Sequence, residues 1–206
     1  MVGLNIIGSM QLLQKYGIPT VKQEHVQNET QLESACNAIG FPVAIKIVSP
    51  KISHKTEVGG IKLNIHSLEE AQKAFAELQE IQGFDSVLVQ KQLKGREVIV
   101  GGKMDEQFGP TILFGLGGIF VEVFEDVSIR LCPITPKDAD KMVQEIKGYS
   151  ILKGARGEKP INFKALKSIL LKTSKIMMKE RVRELDINPL IANEKEVIAV
   201  DARVVL

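Results

Sequence analysis

The sequence predicts an α+β protein of two lobes, and three observations predict it. Helical and strand-like patterns mix in the first 83 residues, five strand-like runs crowd the stretch from 86 to 132, and the chain closes on two alternating runs around a polar turn. Clustered strands argue against a doubly wound parallel sheet, in which helices would separate them. The 206 residues, 44% of them hydrophobic, suffice for a real core. The pattern divides them into an N-terminal lobe, 1–83, and a C-terminal lobe, 84–206.

Leu4, Ile7, Leu12 and Leu13 recur at helical spacing over residues 4–16, and Gly17 and Pro19 end that pattern. Thr30 is placed to N-cap a second helix through Ile39, closed by Gly40 and Pro42. "VAIKIV" (43–48) and "GIKLNI" read as strands, and Ser67 with Glu70 forms a capping box for a helix near 68–82. This is a β-α-β-loop-β-α lobe ending near Gly83, with a basic, glycine-bearing loop at about 49–60. Strand-like runs follow at 86–92, 96–103, 111–115, 119–124 and 128–132, punctuated by Gly, Pro and acidic turns. Helical patterns at about 137–147 and 163–179 precede the final strands, "RELDINPLI" and "EVIAVDARVV". No internal repeat is visible.

Twenty-seven basic and 25 acidic residues leave a net charge of +2, and there are no Trp and two Tyr. Without a broad positive field or stacking surface, nucleic acid is excluded as the expected partner. Cys36 and Cys132 lie far apart without metal-ligand spacing and read as small buried hydrophobes of a reducing compartment. The longest charge-free stretch, "QFGPTILFGLGGIFV", falls short of the roughly 20 apolar residues of a membrane helix. The first residues lack a basic n-region and a cleavage pattern, so a cytoplasmic protein is expected.

Alternation in "FPVAIKIV" puts Lys46 on the strand face of Ala44 and Val48, either at a sheet margin or reaching into a cleft. A lone strand lysine more often buries its stem and leaves its head in water. The loop that follows adds Lys51, Lys55 and the pair Gly59–Gly60, able to bring backbone N–H groups against anionic oxygens. The Walker pattern is absent. In the final strands Glu184, Asp186 and Asn188 share one face, with Leu185 and Ile187 on the other, and Asp201 and Arg203 share a face of the partner strand. With "NEKE" as the turn, Asn188 stands opposite Asp201, Cβ atoms about 5 Å apart. Few oxygen ligands, with room for waters and phosphates, describe how Mg²⁺ is held; a merely solvated hairpin face accounts for the same residues. In "VLVQKQLKGREVIVG" an extended segment can offer its backbone to an adenine edge, and Glu97 can accept ribose hydroxyls, although in isolation it is a surface acid. His25 and His66, in isolation, read as ordinary structural histidines.

In sequence order, a strand lysine, a Gly-bearing loop, a G-x-E after a connecting strand and an "NPL…D" hairpin resemble the ATP-grasp superfamily over nearly the whole chain. More closely, "SPKISHKTEVGG", "GREVIVG", "FGPTILFGLGGIFVEV" and "ELDINPL" resemble the β subunit, or the equivalent fused domain, of ADP-forming acyl-CoA (acetyl-CoA) synthetases, relatives of succinyl-CoA synthetase. The resemblance implies an ATP-grasp fold with two lobes enclosing a nucleotide cleft, and ATP or ADP with Mg²⁺ as cofactors. It implies Lys46 on the nucleotide phosphates, Lys55, Gly59 and Gly60 in a lid, and Gln90 and Leu93 beside adenine. It further implies Glu97 on the ribose, Arg130 on the terminal phosphate, and Asn188 and Asp201 as Mg²⁺ ligands. His54 would carry phosphate between a phosphohistidine on a CoA-binding α subunit and the nucleotide. Two alternatives stay open: an ATP-grasp ligase working through an acyl phosphate, and a nucleotide-sensing partner that transfers nothing. The opening "NIIGSMQLLQKYGIPT" lacks the acidic start expected before "KYGIP", and Arg156–Gly157 is typical of the family without an assigned role.

Overall fold

A computed structural model describes residues 3–52, 55–118, 126–154 and 157–206. The chain forms two compact units, one of Val21–Leu93 and one of Met1–Thr20 with Lys94–Leu206.

The smaller unit is a four-stranded antiparallel sheet in the order β1-β4-β2-β3, made of β1 (Gln23–Val26), β2 (Val43–Val48), β3 (Ile61–Ile65) and β4 (Ser86–Lys91). Helices α2 (Glu29–Ile39) and α3 (Leu68–Gln79) supply Leu32, Cys36, Phe75 and Leu78 to a core shared with Ile45, Ile47, Val87 and Val89. Burying each such large side chain contributes about 1.5–3 kcal/mol. Helix α2 starts earlier than Thr30 suggests, because the Asn28 side chain accepts the Gln31 N–H and is the better-placed cap. At α3 the Ser67 hydroxyl accepts the Glu70 N–H, but the Glu70 carboxylate takes the N–H of His66, one residue before the position a capping box uses.

The larger unit is a six-stranded antiparallel sheet in the order β10-β8-β5-β6-β7, with β9 also on β8. Its strands are β5 (Arg96–Asp105), β6 (Gly109–Leu116), β7 (Val127–Leu131), β8 (Glu184–Ala192), β9 (Val197–Ala199) and β10 (Arg203–Val205). The helices are α1 (Ile6–Lys15), α4 (Pro136–Glu145), α5 (Tyr149–Leu152) and α6 (Phe163–Lys179). Thr135 and Asp138 cap α4 reciprocally, with Pro136 in its first turn, where a missing N–H costs nothing. Helix α6 packs so tightly on the sheet that a Cβ on Gly102 would lie 2.7 Å from the Met177 sulfur.

The larger sheet has two unlike faces. Along one row of paired residues Leu185, Gly102, Ile112 and Arg130 turn toward the helices; along the next, Asp186, Gly101, Leu113 and Ile129 turn away.

The lobe boundary at 83/84 is not where the structure divides. Strand β4 hydrogen-bonds between β1 and β2 in the smaller unit, although it follows the expected boundary. Helix α1 belongs to the larger one: the Leu4 N–H donates to the Val204 carbonyl (2.9 Å), and Lys15 Nζ and the Tyr16 hydroxyl both donate to Glu180 at 2.8 Å. The expected strand at 119–124 lies outside the described residues. No helix among the described residues is long and apolar enough to cross a membrane.

Candidate functional site

In the smaller unit the alternation of β2 sends Val43, Ile45 and Ile47 into the helix-side core and leaves Ala44 and Lys46 on the opposite face. Lys46 is only 5% exposed, so it occupies an interior position and not a sheet margin. Gln90 stands opposite Ala44 on that same face, fully buried, and its Nε2 donates to Gln23 Oε1 at 2.7 Å. Leu93, half-buried, ends the unit. An interior ammonium carries a large desolvation cost, so a buried strand lysine is retained for what it holds.

The glycine pair does something other than what its composition suggests. Gly59 has φ +69°, and its N–H donates to the Thr56 carbonyl (3.2 Å), while the Gly60 N–H donates to the Lys55 carbonyl (2.7 Å). These are the two bonds that close a helical turn in a Schellman motif. Both N–H groups are therefore consumed within the chain and do not form an anion cradle. A Cβ on Gly60 would meet Ile47 Cγ2 at 2.5 Å, so the pair fixes the return of the loop onto β2. Lys55 opens this turn; His54 lies outside the described residues. Of the other histidines, His25 Nε2 bonds Ser86 Oγ at 2.7 Å, and His66 is exposed just before α3.

In the larger unit Glu97 is exposed at the start of β5, opposite Ile191. The Gly117 N–H donates to its carbonyl at 2.8 Å, and a Cβ there would lie 2.8 Å from Glu97 Cβ. At Gly118, φ +65°, a Cβ would stand 3.6 Å from Oε2. Two glycines thus keep one side of the carboxylate open. Gly117→Ala is expected to displace Glu97 at a cost of about 1–3 kcal/mol in stability and to weaken nucleotide binding, measured by thermal melting and calorimetry.

At the final hairpin Asn188 and Asp201 come together. The register is continuous from Ile191 opposite Ile198 to Asp186 opposite Arg203, and between these rungs the Asn188 N–H donates to the Asp201 carbonyl at 3.2 Å. The single last strand expected from the sequence is split into β9 and β10. Pro189 has no N–H for the ladder, and Asp201 Oδ1 instead accepts the N–H of Ala202 at 2.8 Å. Asp186 lies on the same face as Asn188; its burial, with the carboxylates of Glu184 and Asp201, pushes its carboxyl above the usual range, and Arg203 opposes this. The alternation in "ELDIN" marks Asp186 as a face-mate but not as a group crowded by other anions, which depends on Asp201 arriving from the partner strand. Among the described residues no three or more His, Cys, Asp or Glu side chains are grouped as a metal site. A carboxamide and a carboxylate at one register position, in an anionic setting, fit Mg²⁺ completed by waters and phosphates, and fit thiophilic or imidazole-bound metals poorly.

Arg130 is not part of this face. It stands opposite Ile112 on the helix side of the sheet, where its guanidinium donates to Glu145 Oε2 (2.5 Å) and to the Ile129 carbonyl (2.8 Å). That pairing holds the Glu145 carboxyl below its usual range. In this structure the guanidinium anchors α4 through Glu145. Arg130→Gln is expected to cost about 0.5–1 kcal/mol in thermal stability while leaving Mg-ADP affinity unchanged; a large loss of affinity would restore the phosphate role.

Residues 3–206 match the ATP-grasp domain family. The chain is 46% identical over 205 residues to the acetate–CoA ligase [ADP-forming] I subunit beta of Pyrococcus furiosus, covering 95% of this chain and 88% of that one. It is 44% identical to acetate–CoA ligase [ADP-forming] II of Archaeoglobus fulgidus, covering 96% of this chain but 29% of that larger protein. A solved structure of the Ca. Korarchaeum cryptofilum dinucleotide forming acetyl-coenzyme A synthetase 1 superposes with a TM-score of 0.87 at 42% identity, covering 99% of this chain and 92% of that one. That structure contains coenzyme A and Mg-AMPPCP, with a phosphohistidine segment pointing towards the nucleotide binding site. With the match running from residue 3 to the last residue, on two sheets that bear a buried strand lysine and a paired Asn188–Asp201, the chain belongs to the ATP-grasp family.

Proposed function

We propose that this chain is the nucleotide-handling β subunit of an ADP-forming acyl-CoA synthetase, acting in acyl-CoA + ADP + phosphate ⇌ carboxylic acid + CoA + ATP. The observation that carries the reading is the pairing of Asn188 with Asp201 beside Asp186, an oxygen set suited to a magnesium nucleotide. In this reading Lys46 and Lys55 neutralise nucleotide phosphate, Gln90 and Leu93 flank the base, and Glu97 accepts the ribose hydroxyls. Asn188 and Asp201 hold magnesium, which when bound neutralises charge on the phosphates. Gly59 and Gly60 shape the loop that carries His54 and Lys55.

His54 takes the phosphoryl group from a phosphohistidine of a CoA-binding α subunit: its ring nitrogen forms a new P–N bond as the old one breaks. A terminal oxygen of ADP then attacks the phosphorus, forming P–O and returning His54 to neutral imidazole. Neutral imidazole is nucleophilic near pH 7, and transfer of this kind needs positioning and charge neutralisation above all. The reading places acyl and CoA recognition on the partner chain and the complex in the cytoplasm. It is tested by co-purification with the α chain followed by a screen of acids for CoA- and ATP-dependent phosphate release. Negligible turnover alone and restored turnover with α are expected. Trapping an acyl phosphate, with no phosphohistidine formed, would overturn it.

A further inference from the structure

Glu97 is the second residue of β5, and strand ends open more readily than strand centres. A carboxylate that is to accept two hydroxyls needs its backbone held to within about 0.5 Å. One hold is the Gly117 N–H on the Glu97 carbonyl. The other is Arg96. Alternation turns Arg96 to the opposite face of the strand from Glu97, and its guanidinium fork closes on the segment before α6: Nη1 donates to the Lys159 carbonyl at 3.0 Å and Nη2 to Glu158 Oε2 at 2.8 Å.

That segment is itself fixed. Gly154 has φ +89°, and a Cβ there would overlap the Glu158 carbonyl, so the chain folds back on itself at this point. Lys159 Nζ pairs with Glu194 at 2.7 Å, while Asn162 donates its backbone N–H to the Asn193 carbonyl and its Nδ2 to the Lys195 carbonyl, both at 2.7 Å. Asn193 Nδ2 in turn donates to the Lys94 carbonyl at 3.4 Å, and a Cβ on Gly95 would lie 2.6 Å from the Ala192 carbonyl oxygen. The chain entering β5 is thus pressed against the β8–β9 turn and pinned by Arg96 one residue before the acid.

We propose that Arg96 is a positioning residue for ribose recognition: by clamping the start of β5 to Glu158 and Lys159, it sets the Glu97 carboxylate where it can accept the 2′- and 3′-hydroxyls of the nucleotide. The proposal rests on the functional reading above and deepens it. An exposed ion pair alone contributes little, and any two opposite charges would serve. The Arg96 side chain is only 15% exposed, and its buried Nε–H has no partner among the described residues. Hydrocarbon would fill the same space without that desolvation cost. What hydrocarbon lacks is a planar fork that takes a carbonyl and a carboxylate of one segment together and so fixes the strand end against it.

The test is calorimetry on the full chain with Mg-ADP and with Mg-2′,3′-dideoxyADP, which lacks both hydroxyls. The parent is expected to prefer Mg-ADP by at least about tenfold, the scale of hydrogen bonds to a charged acceptor. Arg96→Met should lower that preference below about threefold while its affinity for Mg-2′,3′-dideoxyADP stays parental, and Arg96→Lys, which can reach one partner but not both, should fall between. Glu158→Ala removes half of the clamp at a side chain 70% exposed, where folding is not at stake, and should also reduce the preference. A parental preference in Arg96→Met or in Glu158→Ala would overturn the proposal, as would an equal loss of affinity for both nucleotides, the mark of a general structural role. A parent that binds the two nucleotides equally would instead remove the ribose role of Glu97, and the proposal with it.

Discussion

Replacing His54 by alanine is expected to stop phosphoryl transfer from the phosphorylated α chain to ADP, by at least about a thousandfold, because the step loses its nucleophile and not merely a contact. Mg-ADP should bind the variant as it binds the parent, since nucleotide recognition is assigned to Lys46, Glu97, Asn188 and Asp201. The informative measurement is a rapid-quench single turnover with labelled α chain, followed by acid- and base-lability of the label on each chain. Label on α that never reaches the variant, with ADP bound, is the expected picture. Transfer at the parental rate would mean that the α phosphohistidine reacts with ADP directly, and His54 would become an ordinary loop histidine. Gly59 and Gly60 offer a graded companion: they leave the nucleophile in place but close the turn that begins at Lys55. Gly59→Ala, at φ +69°, should therefore lower the transfer rate modestly, with a cost of about 1 kcal/mol in local stability.

The second large effect is expected at Lys46, in nucleotide binding. Lys46→Met keeps the length and hydrocarbon of the side chain and removes a charge from a position only 5% exposed. Binding of Mg-ATP should weaken by about a hundredfold, the scale of a charge-assisted phosphate contact of roughly 3 kcal/mol. Calorimetry checks the affinity, and thermal melting on the same sample checks that the variant is folded. A variant that binds nucleotide normally but melts lower would make Lys46 a structural residue of the small sheet.

What could be read from the sequence was whatever is written in local pattern. The alternation that separates Leu185 and Ile187 from Asp186 and Asn188 survives in the structure, as does the opposition of Asn188 and Asp201, because a hairpin register is fixed by its turn. The limits of α6 and β2 agree with the pattern for the same reason. Placement that depends on distant partners was not legible. Four residues, Gln23–Val26, suffice for β1 because β4 completes it from more than sixty positions away, and α1 joins the larger unit through Val204 and Glu180. Arg130 shows the same limit at the level of one side chain. The motif around it suggested a phosphate, and only the pairing across β6 places it on the helix side, beside Glu145. The glycine pair is subtler: composition marks flexibility, whereas the hydrogen bonds to Thr56 and Lys55 show that both amides are already in use.

The most direct measurement is calorimetric titration of Mg-ADP into the isolated chain, repeated with EDTA and with Asn188→Ala and Asp201→Asn. Saturable binding with one nucleotide per chain, lost with chelator and weakened at least about tenfold by each substitution, is the result expected from a site in which both oxygens hold the metal. Binding that ignores magnesium and both substitutions, or no binding at all, would contradict it.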